Sequence, residues 1–286
     1  MEARSERDLP APGGVLYEPK WDGFRCIAFR DGNEVFLQSK SGQPLARYFP
    51  EITAALQSLS ATAFVLDGEL VVPVSDRLDF DQLLQRIHPA ASRVRMLADK
   101  FPASYLIFDL LVDERRCENW KLPLRERRSK LESFANHFAP ATLLRLSPAT
   151  QDTAVVERWL KVVGGALDGI IAKDLASPYA SGERTAAVKV KRMRTADCVI
   201  GGYRVSKDGK AVVSLLLGLY EDDGTFDYVG FTSGFSASEK MSLLKTVAGD
   251  PRYIRIHRTF AGRSEPLEPR HGNRVVSGRA EARAGS

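Results

Sequence analysis

Three cysteines in 286 residues, Cys26, Cys117 and Cys198, are an odd and widely scattered set, which argues against a disulfide framework, and no Cys-x-x-Cys pair is present to hold zinc. Long hydrophobic runs are missing as well. No segment approaches the roughly 18 uncharged residues that a membrane span requires. The opening Met-Glu-Ala-Arg-Ser-Glu-Arg-Asp puts no apolar stretch behind its charges, so no targeting leader is read there. The expectation is a cytoplasmic protein with no membrane partner. No internal repeat is found.

What is present describes a globular chain. Hydrophobic residues make up 44% and charged residues 27%, at a length that suits one large or two ordinary domains. The formal net charge of +5 is unevenly placed. From Lys189 onward there are 17 Lys and Arg against 11 Asp and Glu, while the preceding residues hold 24 against 25. A basic final third suits a polyanionic partner. Charge alone fits a merely soluble basic domain equally well.

Residues 1–14 read as a flexible leader. From Val15 to Gln38 the pattern is strand, turn, strand, turn, strand, with Asp22-Gly23 as the first turn and Asp31-Gly32 as the second. Ile52, Ala55, Leu56 and Leu59 share one helical face. Phe64 to Val72 is a strand interrupted by Asp67-Gly68, Phe80 to Ile87 a helix, and Ser104 to Val112 a nearly continuous buried strand. Glu114 to His137 is charged at helical spacing with Pro123 near a helix start, and Asp152 to Val163 is a further amphipathic helix. Ala187 to Lys191 alternates so that Lys189 and Lys191 share a face. Beyond a boundary near Arg194 to Asp197, three strands over 198–231 and a helix over Ser236 to Val247 resemble the start of a five-stranded barrel of the oligonucleotide-binding (OB) type. Residues 262–286 have almost no apolar pattern and read as disordered.

The stretch Glu18-Pro-Lys-Trp-Asp-Gly-Phe-Arg25 displays an amine, Lys20, among fixed charges near a strand end, which makes it a candidate nucleophile. The plain alternative is a hairpin turn beside a solvated lysine, and Asp-Gly recurs at positions 31, 67, 168, 208 and 223. Its company decides between them. Asp22, Arg25, Asp67, Glu69, Asp109, Asp168, Lys173, Lys189 and Lys191 all stand at or beside expected strand ends. Cations that neutralise phosphoryl oxygens and carboxylates that hold a divalent ion are what phosphoryl chemistry requires.

In this order the residues resemble the covalent nucleotidyltransferases, specifically the small bacterial ATP-dependent DNA ligases, over Leu16 to Phe235. Lys20-Trp-Asp-Gly-Phe-Arg25 matches the family's Lys-x-Asp-Gly-x-Arg. The resemblance implies that Lys20 becomes adenylated, that Asp22 belongs to the catalytic motif, that Glu18 contacts the adenine amino group and that Arg25 contacts ribose or phosphates. Ser39-Lys-Ser-Gly42 is similar to Ser-Arg-x-Gly and implies Ser39 and Lys40 as DNA contacts. Glu69 of Asp-Gly-Glu corresponds to the ribose and metal residue, and Phe108 to the aromatic that stacks on adenine. Asp168-Gly-Ile-Ile-Ala-Lys173 implies Asp168 as a metal carboxylate and Lys173 as a phosphate contact, with Asp where many relatives carry Glu. Lys189 and Lys191 match the lysine pair on the α-phosphate, although Ala186 and Ala187 replace the aromatic that often precedes it. The family's final Arg-x-Asp-Lys-like motif has no counterpart; Arg270-His-Gly-Asn-Arg274 is basic without the Asp-Lys pair.

The implied fold is α+β: an adenylation domain of antiparallel sheets with flanking helices over 15–195, then an incomplete OB-fold β-barrel over 196–261. The implied function is nick sealing in double-stranded DNA by a monomer using ATP, carried as AMP on lysine, with Mg2+, in the bacterial cytosol and with repair-pathway proteins as possible partners. An RNA ligase or mRNA capping guanylyltransferase is the alternative within the fold, and a catalytically impaired nick-binding protein the alternative outside enzymology.

Overall fold

In the computed structural model, residues 2–75, 77–138, 143–161, 167–191 and 196–248 are described, with the short pairs 254–255 and 279–280 beyond them. The chain divides into two compact units, Met1–Arg192 and Met193–Ser286.

The first unit holds two main sheets. One runs in the order β1 (Arg4–Glu6), β11 (Ala187–Val190), β10 (Gly169–Asp174), β2 (Val15–Lys20), antiparallel except for the parallel β1–β11 pair. The other runs β4 (Glu34–Ser39), β3 (Phe24–Asp31), β5 (Ala63–Val71), β8 (Ser104–Val112), β9 (Leu144–Leu146), with only β8–β9 parallel. A short ribbon of β6 (Pro73–Val74) and β7 (Arg77–Leu78) leads to α2 (Phe80–Gln85) and α3 (Ala91–Lys100). Helices α1 (Pro50–Gln57) and α4 (Leu124–Phe134) cover the five-stranded sheet, where Ile52, Leu56, Leu131 and Phe134 join Leu66, Leu70, Tyr105 and Ile107 in the main core. Strand β8 is therefore buried almost throughout, which explains its unbroken apolar run. The four-stranded sheet packs Tyr17, Ile170 and Ala172 against Val156, Trp159 and Leu160 of α5 (Thr153–Lys161).

Several expectations need correction. Strands β2 and β3 do not form a hairpin: they belong to different sheets, and Asp22-Gly23 carries the chain between them. Gly23 is required by close approach, because a Cβ there would lie 2.2 Å from the Leu70 carbonyl oxygen. Strand β5 runs unbroken through Asp67-Gly68, the irregularity appearing instead in its pairing with β8. The leader contributes β1, since the open edge of β11 accepts its backbone and Glu2 pairs with Lys40 and Arg184. Pro123 caps the start of α4 at Leu124, as expected, whereas the stretch from Glu114 to Lys121 is not α-helical and α3 was not anticipated.

In the second unit a sheet runs β15 (Phe226–Thr232), β14 (Val212–Tyr220), β13 (Val199–Val205), β16 (Ile254–Arg255), and β12 (Ala196–Asp197) pairs with β17 (Arg279–Ala280). Helix α6 (Ala237–Val247) opens with a capping box between Ser236 and Glu239 and packs Val247 against Tyr203, Val212, Leu215 and Leu217. No closed barrel is found among the described residues. Apart from β17, the 262–286 tail, with Arg270 to Arg274, lies outside them, as do residues 194 and 195 of the expected boundary at 194–197. No described helix is long and apolar enough to cross a membrane.

Candidate active site

Register and alternation build one side of the site. Lys20 lies opposite Gly169, Glu18 opposite Ile171, and Ile171 opposite Lys189. Period-two alternation then sends Glu18, Lys20, Lys173 and Lys189 to the same face of the four-stranded sheet.

At the Lys20 end the ammonium groups gather. The Asp168 N–H donates to the Lys20 carbonyl at 2.9 Å, folding its carboxylate back over the strand end. There Asp168 Oδ2 accepts from Lys20 Nζ and stands 2.8 Å from Lys191 Nζ. Partial burial works to raise the Asp168 pKa, but the hydrogen bonds from Lys191 and Lys20 outweigh it and hold the carboxyl below its usual range. Gly169 lets β10 and β11 close beside this cluster, as a Cβ would lie 2.2 Å from the Val190 carbonyl oxygen. Lys189 has no ion-pair partner among the described residues. Burial, then the charges of Lys20, Lys191, Lys40 and Arg184, push its pKa down, favouring the neutral amine.

The far end of the same face is quiet in charge. Glu18 is buried and its Oε2 lies 2.6 Å from Lys173 Nζ, while Oε1 is buried with no hydrogen-bond partner. Burial raises the Glu18 pKa against the opposing pull of Lys173. Lys173 Nζ sits 4.5 Å from the centre of the Phe108 ring, and Arg25 Cζ 5.7 Å from it. Phe108 faces this group because of a bulge: Asp67 pairs with Asp109 and Gly68 with Ile107, leaving Phe108 without a partner on β5. The structure thus places Lys173, expected as a phosphate contact, beside Glu18 and Phe108. Its cross-strand neighbours, Leu16 and Ala187, are two positions removed from Glu18 and Lys189.

The five-stranded sheet supplies the third part. Arg25 donates from Nε to Asp67 Oδ1 at 3.1 Å and from Nη2 to Asp67 Oδ2 at 2.7 Å. Tyr179 donates its hydroxyl to Asp67 Oδ2 at 2.8 Å and accepts from Arg25 Nη2 at 3.2 Å. Glu69, opposite Arg25 in register, has its pKa pushed up to about 8 by burial, against the pull of Arg25 and Lys20. Asp22 is exposed and adds its charge to the field on Glu69. Asp109 is committed to the fold, its two oxygens accepting from Arg127 Nε and Nη2 at 2.9 and 3.0 Å. Ser39 ends β4 and Lys40 opens the turn after it, where Ser39 Oγ accepts from the Gln43 N–H at 3.0 Å and Lys40 Nζ stands 3.1 Å from Glu2 Oε1. They are not in contact with the ammonium cluster, though the Lys40 charge reaches Lys189.

The comparisons with known proteins coincide with this site. Residues 7–191 match the family model of the ATP dependent DNA ligase domain. The chain belongs to the ATP-dependent DNA ligase family. It is 46% identical over 250 residues to DNA ligase C1 of Mycolicibacterium smegmatis, a match spanning 85% of this chain and 70% of that protein. It is also 46% identical over 239 residues to DNA ligase C of Mycobacterium tuberculosis, spanning 82% of this chain and 66% of that one. Among solved structures, a mycobacterial DNA ligase D complexed with ATP and MES is similar at a TM-score of 0.50 and 28% identity, over 86% of this chain and 77% of that chain.

The ligase match takes in every site residue from Glu18 to Lys191. Tyr179 and Ser147, whose side chains bond to site residues or their neighbours, were missed in the ligase sequence. Neither lies in a periodic run or a turn signal; only their long-range partners distinguish them.

Proposed function

We propose that this ligase joins breaks in duplex DNA through AMP carried on Lys20. The observation that carries the reading is the polar order of the site: an ammonium cluster of Lys20, Lys189 and Lys191 at one end of a sheet face, and a buried carboxylate with a free acceptor beside an aromatic ring at the other. An adenine amino group fits Glu18 Oε1, the one buried acceptor in the site without a donor among the described residues. The triphosphate then lies toward the lysines.

In the first step the Lys20 lone pair attacks the α-phosphorus of ATP, the bond to the bridging oxygen breaks, and pyrophosphate leaves with the electron pair. The proton from the amine passes to solvent. Lys189 and Lys191 neutralise the developing charge on the phosphoryl oxygens. AMP next moves to the 5′-phosphate at a nick, and the 3′-hydroxyl displaces it to form the phosphodiester. Each step is a displacement at phosphorus, so alignment and charge do most of the work. Glu69 and Asp168 are the carboxylates that would hold Mg2+, which would supply further positive charge to the phosphoryl oxygens. No group of three or more His, Cys, Asp or Glu fit to hold a metal occurs among the described residues. Two carboxylates suit a cation that keeps its waters and shares the substrate's phosphates.

Ser39 and Lys40 are assigned to the DNA backbone, which an exposed cation contacts without reading sequence. The second unit is assigned as an OB-type module, supported by the antiparallel β13–β14–β15 meander and α6 after it. Intact-mass spectrometry after incubation with ATP and Mg2+ tests the reading. The native chain gains the mass of one AMP residue and the K20A variant gains none; a native chain without the adduct refutes it.

A further inference from the structure

The segment between β9 and α5 carries none of the family's motifs, yet it ties together the two sheets that share the site. At one end β9 pairs with β8, Leu146 beside Ile107, and the Ser147 N–H donates to the Ile107 carbonyl at 2.8 Å. At the other end Thr150 and Tyr17 exchange both backbone hydrogen bonds, at 2.8 and 2.9 Å, which fastens the segment to β2. Between these anchors Ser147 is fully buried. Its carbonyl accepts from Arg128 Nη1 at 2.9 Å, and its hydroxyl accepts from the indole N–H of Trp21 at 2.9 Å. Trp21 follows the nucleophile, and Ile107 precedes Phe108. One serine therefore grips the strand of the aromatic platform through its main chain and the neighbour of Lys20 through its side chain.

We propose that Ser147 is a positioning residue that acts through Trp21 to fix the Lys20 amine relative to the Phe108 platform. The inference rests on Lys20 as the carrier of AMP. The chain leaves β2 at Lys20 and enters a different sheet at Phe24, so the strand ladder stops holding it where the nucleophile stands. The Trp21–Ser147 bond replaces that restraint. Misplacing a reacting group by about 1 Å can cost roughly a hundredfold in rate. A bond that did no more than satisfy the indole N–H would show its loss in stability alone.

The test is single-turnover formation of the Lys20–AMP adduct by the full chain across a range of ATP concentrations with Mg2+, for the native chain, S147A, W21F and the double variant. The proposal expects each single variant to lower the maximal rate about tenfold or more while half-saturating ATP stays within about twofold, and the double variant to fall no further than the slower single. A maximal rate in S147A close to the native value overturns it. So does a loss confined to half-saturating ATP, or effects that multiply in the double variant. A native chain that forms no adduct removes the Lys20 reading along with this one; a native chain that forms it no faster than S147A removes the role of Ser147 alone.

Discussion

Truncating Asp109 to alanine distinguishes a carboxylate that serves chemistry from one that serves the fold. Asp109 and Arg127 are both essentially inaccessible to solvent, and the substitution removes two N–H···O bonds of 2.9 and 3.0 Å from the guanidinium. Arg127 keeps its bonds to the carbonyls of Leu122 and Ser177, at 2.7 and 3.1 Å, so its charge is left partly solvated by the backbone. Removing one partner of a buried pair costs about 3–5 kcal/mol, and the two remaining carbonyls place D109A near the lower end, about 3 kcal/mol. That is a large part of the ~5–15 kcal/mol that holds a domain together. Urea denaturation followed by tryptophan emission reads it cleanly, because Trp21, Trp120 and Trp159 all lie in the first unit. The midpoint falls with the slope unchanged. The D109A/R127M double variant loses clearly less than the sum of its singles, since no buried charge is left over. A D109A midpoint within about 0.5 kcal/mol of the native one, or strict additivity, refutes the assignment.

Phe108 should behave in the opposite way. F108A weakens ATP binding by roughly 10- to 100-fold, the range for losing one base-stacking partner, with a smaller loss of stability than D109A; equilibrium binding of ATP and the same urea titration check both halves. Gly23→Ala places a Cβ 2.2 Å from the Leu70 carbonyl, where backbone meets backbone, so it costs about 1–3 kcal/mol and suppresses the Lys20 adduct in the mass assay. Tyr179→Phe deprives the buried Asp67 carboxylate of one donor while Arg25 keeps its pairing, a loss of about 1 kcal/mol with a raised half-saturating ATP concentration in adenylation kinetics. An unchanged ATP dependence would separate Tyr179 from the nucleotide site.

Some of this was legible in the sequence because the signals are local. The unbroken apolar run of β8, the alternation that pairs Lys189 with Lys191, the α6 helix and the three strands before it depend on neighbours within a few residues. The β2–β3 hairpin was misread for the same reason: Asp-Gly is a strong local turn signal, but the strands find other partners through β10 and β5. The bulge at Phe108 leaves no mark on composition, so its ring could equally have been core. Strand β1 is polar, and it forms through backbone pairing to an open edge rather than through an apolar pattern. The Lys173–Glu18 ion pair was hidden because the two residues lie far apart in sequence, and a motif position does not say which partner an ammonium finds along its strand.

That last point follows from charge. Along β10, Lys173 stands four residues from Gly169, roughly 13 Å at the usual strand rise. Over that length the face passes from a cluster with three ammonium groups, where one carboxylate is shared between two of them, to a pair that cancels itself at 2.6 Å. On the proposed reading a triphosphate is drawn to the first end and a neutral ring with hydrogen-bond donors to the second, and the charge pattern of the face orients the nucleotide before any contact is optimised. The same arithmetic governs the nucleophile. Asp168 Oδ2 engages Lys20 and Lys191 together, and in the proposed reaction Lys20 attacks only when that hold is released and its lone pair is free. Phosphoryl oxygens arriving among the three lysines compete with Asp168 for their N–H groups. In the proposed reaction the substrate therefore loosens the restraint on the amine that is to attack it.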